Sequence, residues 1–302
     1  MSGVHWHVLG AGAMGCLWAT HLKQAGFEVT LILRPTTSLQ HTTALRLACD
    51  DSTINVTVNA ITRAPDRSMH YLLVTTKATD ACDAVLAHRH ALADQACVVL
   101  LQNGMGQHQA LAEALPDIRL YAGLSTDGVW RRAPFHAVHA GHGLTRFGAC
   151  NANATQAALA PALHGIALAT QWETDITAAL WLKLAINCAI NGLTAIHDCP
   201  NGALLDNGPR QHRMQRLCHE VQALLHAEGV ALADHTDCYA AAVDTAQRTA
   251  LNRSSTLQDV RAGRASEIDA LNGFVVQRAR LHGIPTPEND AVLSAVHALT
   301  PR

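Results

Sequence analysis

The sequence predicts an α/β protein with two domains, of which the first contains a parallel sheet and the second is entirely helical. In the first half, short apolar β-rich runs alternate with Ala- and Leu-rich stretches that have helical periodicity. Nearly all-apolar strands that alternate with helices indicate a parallel sheet covered on both faces. After about residue 171 only helical patterns follow. The predicted boundary therefore separates residues 1–171 from residues 172–302.

The elements of the first domain are predicted in alternation along the chain. Residues 129–147 then change to a hairpin-like pattern that contains Gly and His, which we expect to close the domain with antiparallel strands. The expected strands cover residues 5–9, 28–33, 70–75, 97–101 and 120–123. The expected helices between them cover residues 14–25, 78–91 and 107–115.

The second domain is predicted as a set of helices without strands. Turn-forming runs that combine Pro, Gly and Asn separate the helical patterns. The expected helices cover residues 175–193, 209–228, 235–250, 267–282 and 287–299.

Composition and charge exclude several classes of protein. The 302 residues are 49% hydrophobic, which is enough for two packed cores and excludes a disordered chain. The 22 Lys and Arg residues against 24 Asp and Glu residues leave a net charge of −2. This balance provides no large positive field for nucleic acid or an anionic membrane, whereas local basic clusters would suit a small anionic ligand.

The cysteines and the beginning of the chain indicate a cytoplasmic protein. Nine scattered cysteines form no C-x-x-C pair, which is typical of reduced, buried thiols rather than of a disulfide framework. The first residues show no basic leader followed by a long apolar core, so we expect no signal peptide. The most apolar later stretch, residues 178–196, is interrupted by Lys183, Asn187 and Asn191, which argues against a membrane span.

A glycine-rich turn follows the first predicted strand. Gly10-Ala11-Gly12-Ala13-Met14-Gly15 fits the pattern G-x-G-x-x-G between a strand and a helix. The first glycine permits the tight turn, the second lets the backbone approach a pyrophosphate, and the third lets the helix pack close to the strand. The free N–H groups of the helix N-terminus then face the anion. The pattern predicts a Rossmann-type dinucleotide-binding domain, and the alternative is a glycine-rich turn without a ligand.

Polar residues at the ends of later strands are candidates for the same cofactor site. Arg34 ends the second predicted strand, where a carboxylate would select NAD through the ribose 2′-hydroxyl. A guanidinium there can pair with the 2′-phosphate of NADP, unless it is a solvated strand-end charge. Residues 35–38 add no further basic side chain, so the preference for NADP depends largely on Arg34. Lys77 and Asn103 follow the third and fourth strands and could contact phosphate, nicotinamide or substrate, although both also fit ordinary turns.

One apolar helix carries a polar stripe. Lys183, Asn187 and Asn191 are spaced i, i+4, i+8 and share one helical face among apolar neighbours. A lysine there is costly to bury unless it is paired or its pKa is lowered, and a lowered pKa lets it donate a proton near neutral pH. Alternatively, the lysine reaches the surface while the asparagines bridge helices. Glu267 is the natural carboxylate partner, although an acidic residue in a first helical turn is most often solvated.

Several blocks of the sequence together resemble the ketopantoate reductase (2-dehydropantoate 2-reductase) family over nearly the whole chain. Any one block is only suggestive, whereas all of them in this order are highly specific. The blocks are residues 10–15, 76–80, 102–106, 181–184 with Asn187 and Asn191-Gly192, Asn252 with residues 254–259, residues 267–269 with Asn272-Gly273, and residues 282–289.

The resemblance implies NADPH-dependent reduction of 2-dehydropantoate to (R)-pantoate, a step toward pantothenate and coenzyme A, in an active cleft between a Rossmann domain and a helical domain. By motif position, Lys183 matches the family's general acid and Glu267 matches its acidic partner. The residues that match substrate-binding positions are Asn103, Asn187, Asn191, Asn252 and Ser255. The residues that match cofactor-binding positions, besides the glycine turn, are Arg34, Lys77, Asn103 and Glu267.

Two other functions are compatible with the sequence. A paralogue with the same fold would reduce another branched 2-oxo acid, and a catalytically silent regulator would bind NADP(H) without turnover. A regulator has no need of both Lys183 and Glu267, and both are present. We expect a small-molecule partner, a monomer or a homodimer, and neither nucleic acid nor membrane. We expect no metal site at His136, His139 and His142, because that stretch lacks Cys and carboxylate ligands and a spacing of three does not share a strand face.

Overall fold

The protein consists of two compact units that differ in secondary structure. The computed structural model describes residues 3–35, 41–50, 52–206, 208–232 and 236–300. The first unit comprises Met1–Gln102 and Gln107–Ile176, and the second comprises Asn103–Gly106 and Thr177–Arg302. Over these described residues, the first unit combines a sheet with helices and the second is helical, which confirms the predicted α/β fold class.

The first unit alternates strands and helices in its first half and adds strands at its end. Its helices are α1 (Ala13–Gln24), α2 (Ala78–Ala87), α3 (Gln107–Ala114) and α4 (Gln156–Leu159). Its strands are β1 (His5–Leu9), β2 (Glu28–Ile32), β3 (Thr42–Cys49), β4 (Ser52–Ile61), β5 (Met69–Val74), β6 (Leu92–Leu100), β7 (Arg119–Ser125), β8 (Gly128–Ala133), β9 (His136–Gly141), β10 (Thr145–Ala149) and β11 (Thr170–Trp172).

All eleven strands belong to one sheet in the order β11-β10-β7-β6-β5-β1-β2-β4-β3-β9-β8. The six central strands, from β7 to β4, pair in parallel. Towards the edges the pairing becomes mixed, because β3 is antiparallel to β4, β8 to β9, and β10 to β7. Apolar side chains of the strands and of α1 form the buried core, where Trp18 contacts Phe147 edge to face with 5.5 Å between ring centroids.

The sequence predicts five of the six parallel central strands, namely β1, β2, β5, β6 and β7, with bounds that differ by up to five residues, and it predicts the hairpin of β8 and β9. It misses the antiparallel pair of β3 and β4, which extends the sheet beyond β2. Buried Leu45 and Leu47 flank exposed Arg46 in β3, so the alternation of one buried and one exposed face was a readable signal. The short strand β11 and the helix α4 were also not predicted.

The second unit contains six helices among its described residues. Its long first helix, α5, lies at the centre of an apolar core to which the later helices contribute. The helices are α5 (Ile176–His197), α6 (Gly208–Ala227), α7 (Cys238–Arg248), α8 (Ser255–Arg261), α9 (Asn272–Leu281) and α10 (Pro287–Leu299). The predicted start of the third helix at residue 235 lies outside the described residues, and α8 was not predicted.

The prediction of one continuous helix over residues 267–282 is wrong. A short 3₁₀ turn spans Ile268–Ala270, and α9 begins only at Asn272. The backbone N–H of Met105 donates to the carbonyl oxygen of Ala270 at 3.2 Å, so a donor from outside the helix occupies the acceptor that a continuous helix would use. Glu267 therefore precedes the 3₁₀ turn instead of lying within a helical first turn.

Helix α5 is long and apolar enough to cross a membrane by length and composition alone. Of its most apolar 18-residue window, 56% is buried inside the protein. The buried part includes Trp181, Leu184 and Ala185, which pack in the core of the second unit. The core helix of a globular protein satisfies the same criteria, and α5 is buried against the other helices of the second unit.

A buried acidic side chain, Asp127, lies between β7 and β8 and contacts residues of β7 and β9. Asp127 and His139 are 2% and 1% exposed, and His139 Nε2 lies 2.9 Å from Asp127 Oδ1. The Ser125 hydroxyl donates to Asp127 at 2.7 Å and the Gly143 N–H donates to it at 3.0 Å. Burial alone would raise the pKa of Asp127, but these hydrogen bonds outweigh it and hold the pKa below its usual value. Among the described residues, no group of three or more His, Cys, Asp or Glu side chains could hold a metal ion.

We expect Asp127→Asn to lower the free energy of unfolding at neutral pH by about 2 kcal/mol, because buried hydrogen bonds to a charged acceptor are weakened. The folded-state pKa of Asp127 lies below the unfolded value. The advantage of the wild type is therefore complete above about pH 4 to 5 and is lost as the pH falls through the folded-state pKa. Denaturant titrations at several pH values measure both effects.

The matched control for that measurement is Asp94→Asn. Asp94 is 83% exposed and contacts Arg67 at 3.4 Å, so its removal should change the free energy of unfolding little. Equal losses in the two variants, or a loss for Asp127→Asn that persists unchanged at low pH, would contradict the assignment.

Candidate active site

Four neighbouring strands of the first unit end at the same edge of the sheet. Leu9 of β1 aligns with Ile32 of β2 and with Val74 of β5. Val74 in turn aligns with Leu100 of β6. Ligands of open α/β sheets bind at the carboxyl ends of the strands, so this edge is where a dinucleotide is expected. The residues that follow these strand ends are the candidate cofactor-binding residues of the first unit.

The glycine turn is attached to the ends of both strands that flank β1. Gly10 has a φ of +100°, and its N–H donates to the Ile32 carbonyl oxygen at 3.1 Å. The Thr75 hydroxyl donates to the Gly10 carbonyl oxygen at 2.8 Å. A Cβ on Gly15 would collide with that same carbonyl oxygen and with the Thr75 hydroxyl. Close packing of α1 on the turn therefore requires glycine at both positions.

The N-terminus of α1 suits an anionic ligand. Gly12 is its N-cap residue, without a side-chain cap, and the first turn contains no acidic residue. A Cβ on Gly12 would have only the Thr75 carbonyl oxygen within 4 Å, at 3.9 Å, so packing within the protein does not require glycine there. The half-buried residues Ala11, Ala13 and Met14 complete the turn. The turn thus fits the predicted pyrophosphate site, because its helix N–H groups lack a competing side chain.

The cations predicted for the cofactor follow two of these strand ends. Arg34 lies two residues beyond β2, its side chain is 81% exposed, and its Nη2 donates to Asp80 Oδ2 at 2.9 Å. Lys77 is half-buried and is the N-cap residue of α2. Sequence reasoning assigned no role to Asp80, although it lies in the first turn of α2. A 2′-phosphate at Arg34 would meet a guanidinium that already contacts a carboxylate.

In the second unit, the polar stripe of α5 lies in a largely desolvated environment. Lys183 and Asn187 are half-buried, and Asn191 is buried at 8% exposure. Desolvation lowers the pKa of Lys183 to about 8, while the negative charge of Glu267 acts in the opposite direction and favours the ammonium form. The structure therefore places Glu267 close enough for its charge to act on Lys183, which the sequence alone does not show. The ammonium group remains the major form at neutral pH, yet it is far more acidic than an exposed lysine.

The segment that contains Asn103 is attached to the turn that follows Glu267. The bond from Met105 N–H to Ala270 joins the two segments. Gly104 has a φ of +85°, and a Cβ there would overlap the Ala270 backbone and side chain. Glycine is therefore required for this close approach. Asn103 itself is half-buried at the beginning of the segment.

The remaining two predicted substrate residues, Asn252 and Ser255, are exposed, and their neighbour Ser254 makes a buried contact with α5. Asn252 and Ser255 are exposed, whereas Ser254 between them is 7% exposed and caps α8. The Ser254 hydroxyl lies 2.7 Å from the Thr194 hydroxyl and 3.4 Å from the Asn191 carbonyl oxygen. Sequence reasoning missed Ser254, although a serine before a helical pattern is an N-cap signal.

Asn272 is a second residue whose role the sequence does not reveal. It is fully buried, and its Nδ2 lies 3.2 Å from the Cys188 carbonyl oxygen of α5 and 2.9 Å from Asn289 Oδ1. Asn289 in turn donates to Glu220 at 2.7 Å. This network links α5, α9, α10 and α6. Its partners are distant in sequence, so no local pattern indicates it.

Comparison with known proteins identifies relatives over nearly the whole chain. The family model described as ketopantoate reductase PanE/ApbA matches residues 6–152, and the model of its C-terminal part matches residues 175–300. The 2-dehydropantoate 2-reductase of Shigella flexneri is 37% identical over 298 residues, with 96% of this chain and 93% of the relative covered. The protein of the same name from Halobacterium salinarum is 33% identical, with 93% of each chain covered.

Solved structures agree with these matches. A PanE/ApbA family ketopantoate reductase from Ralstonia eutropha JMP134 superimposes with a TM-score of 0.86 at 33% identity, covering 98% of each chain. D-mandelate dehydrogenase in a ternary structure with NADH and anilino(oxo)acetate has a TM-score of 0.88 and covers 98% of each chain, but at 21% identity it shares the fold alone. As the motifs predicted, this chain belongs to the ketopantoate reductase PanE/ApbA family.

Proposed function

We propose that this protein is an oxidoreductase that reduces 2-dehydropantoate to (R)-pantoate with NADPH. The observation that carries the proposal is the desolvation of Lys183 in the polar stripe, which lowers its pKa to about 8 although the negative charge of Glu267 acts in the opposite direction. The reduction of 2-dehydropantoate is the reaction for which its relatives are named. We further propose that residues 1–171 bind the nucleotide, that residues 172–302 supply the acid, and that the protein acts in the cytoplasm as a monomer or homodimer.

The first unit supplies the groups that a dinucleotide needs. When bound, a reduced nicotinamide supplies the hydride that converts a 2-oxo group to a 2-hydroxyl group. The N–H groups at the N-terminus of α1 would hold the pyrophosphate, because Gly12 has no side chain to block them. Arg34 and Lys77 would hold phosphate groups at the neighbouring strand ends. Arg34 carries the proposed preference for NADPH.

Lys183 would act as the general acid. As C2 is reduced, negative charge develops on the carbonyl oxygen, and a nearby ammonium group stabilises that charge and then protonates the oxygen. A lysine with a pKa near 8 is mostly protonated at neutral pH, and it gives up its proton more readily than an exposed lysine. Both properties favour proton donation at physiological pH.

The other candidate residues would orient the reacting groups. Glu267 would keep Lys183 protonated and oriented, or accept a hydrogen bond from a substrate hydroxyl. It would also contact the cofactor, as would Asn103. The amides of Asn187 and Asn191 would bind the substrate carboxylate and hydroxyl without adding charge. Asn103, Asn252 and Ser255 would take part in the same contacts.

Substrate choice tests the proposed activity. We expect purified protein to oxidise NADPH faster with 2-dehydropantoate than with 2-oxoisovalerate or pyruvate, and faster than it oxidises NADH. Loss of the reduced nicotinamide's absorbance measures each rate. Preferential turnover of another 2-oxo acid would indicate a paralogue with a different substrate. Tight NADPH binding without turnover of any substrate would indicate a regulator.

Lys183→Ala tests the assigned acid. We expect kcat for 2-dehydropantoate to fall by about 10²- to 10⁴-fold, the usual contribution of a positioned general acid, while the Kd for NADPH is almost unchanged. Steady-state kinetics and fluorescence titration measure the two quantities. The matched control is Lys23→Ala, which removes an exposed lysine from α1. An unchanged kcat in Lys183→Ala would exclude the assigned role.

Glu267→Gln tests the electrostatic coupling through pH dependence. Activity should decline as the pH rises through the pKa of Lys183, about 8, because the ammonium proton is lost. Removing the Glu267 charge removes an interaction that raises this pKa, so the alkaline decline should move to lower pH. The control Asp269→Asn removes the same charge from an exposed residue that pairs with His297 at 3.0 Å. The coupling would be contradicted if activity declined at the same alkaline pH in wild type and Glu267→Gln. Equal shifts of this decline in Glu267→Gln and Asp269→Asn would contradict it as well.

A further inference from the structure

An ion pair outside the proposed catalytic groups stands beside the candidate cofactor site. Arg34 Nη2 and Asp80 Oδ2 are 2.9 Å apart, and their side chains are 81% and 45% exposed. The Thr79 hydroxyl lies 3.2 Å from the other carboxylate oxygen of Asp80. The Asp80 carboxylate therefore contacts the Arg34 guanidinium through one oxygen and the Thr79 hydroxyl through the other, and it remains accessible to solvent.

The backbone places this pair next to the glycine turn. Arg34 follows β2, whose last residue, Ile32, accepts the hydrogen bond from Gly10 N–H. Asp80 belongs to the first turn of α2, and its N–H donates to the Lys77 carbonyl oxygen at 3.0 Å. Both elements follow strands that flank β1. The Arg34–Asp80 pair thus lies where the second strand is expected to meet the adenosine ribose.

The two members of the pair prefer different ribose substituents. A guanidinium pairs with a 2′-phosphate through charge and bidentate hydrogen bonds. A carboxylate accepts a hydrogen bond from a 2′-hydroxyl, but it repels a phosphate, which carries negative charge and has only acceptors to offer near neutral pH. In this chain the group that favours NADPH is therefore in direct contact with a group that favours NADH.

We infer that Asp80 is a specificity-determining residue that reduces the preference of this protein for NADPH over NADH. It acts in two ways. It neutralises part of the Arg34 charge that a 2′-phosphate would use, and its carboxylate offers an acceptor to an unphosphorylated ribose. The inference rests on the proposed function, because it requires a dinucleotide on the glycine turn.

The experiment measures binding of cofactor fragments that lack the nicotinamide, so catalysis plays no part in it. Isothermal titration calorimetry gives the Kd of 2′-phospho-ADP-ribose and of ADP-ribose for wild type and Asp80→Asn. Asparagine keeps the size of the side chain and removes its charge. We expect 2′-phospho-ADP-ribose to bind about three- to tenfold more tightly to the variant, and ADP-ribose to bind no more tightly than to wild type. The gain should shrink as salt is added, because both charges are exposed.

Asp83→Asn is the matched control. Asp83 is an exposed residue of the same helix, one turn beyond Asp80, and the substitution changes the net charge by the same amount. It should leave the ratio of the two dissociation constants almost unchanged. A similar gain in both variants would mean that only the overall charge matters, and would overturn the inference.

Two further outcomes separate this inference from the proposed function. Weaker binding of 2′-phospho-ADP-ribose to Asp80→Asn would show that Asp80 holds Arg34 in place for the phosphate, which overturns the inference and leaves NADPH dependence intact. Wild-type protein that binds neither fragment and no NADPH would overturn the proposed cofactor site, and this inference with it.

Discussion

The candidate catalytic site depends on one energetic constraint, the cost of holding the desolvated ammonium group of Lys183. Burial of a charge is expensive, so a lysine on an apolar core helix persists only with compensating interactions. Glu267 supplies a negative charge, and desolvation still lowers the pKa of Lys183 to about 8. The same balance that makes this lysine costly for folding makes it suitable for proton donation near neutral pH. The stability of the fold and the proposed proton donation thus depend on the same desolvated environment of Lys183.

The environment of Lys183 is maintained only if α5 neither rotates nor slides, so α5 must be held in place by its neighbours. Among the described residues, side chains of other elements reach the α5 backbone, because Asn272 donates to the Cys188 carbonyl oxygen and Ser254 contacts the Asn191 carbonyl oxygen. Close packing adds a third restraint, since a Cβ on Gly192 would overlap the Val292 side chain. Buried, hydrogen-bonded amides and hydroxyls are well suited to this task, because breaking them leaves unsatisfied polar groups.

The proposed nucleotide-binding turn depends on a different feature, namely the absence of side chains. Gly15 permits α1 to pack against the turn, while Gly12 leaves the first N–H groups of the helix open. Backbone dipoles then supply the favourable field for phosphate, without a buried charge whose desolvation must be offset. Arg34 and Asp80 add exposed charge at the rim, where they face each other. Exposed charges of this kind adjust selectivity at little cost to folding.

The sequence by itself determined the α/β class, five of the six parallel strands at the centre of the sheet, the glycine turn and the polar stripe of α5. These features depend on local periodicity and on the spacing of residues within one element, so they can be read from the chain. Only the tertiary structure decided that the charge of Glu267 acts on Lys183, that residues 267–282 are interrupted, and that Asp80 pairs with Arg34. Each of these joins residues far apart in sequence. Their energies depend on burial and on distances between elements, which no local pattern encodes.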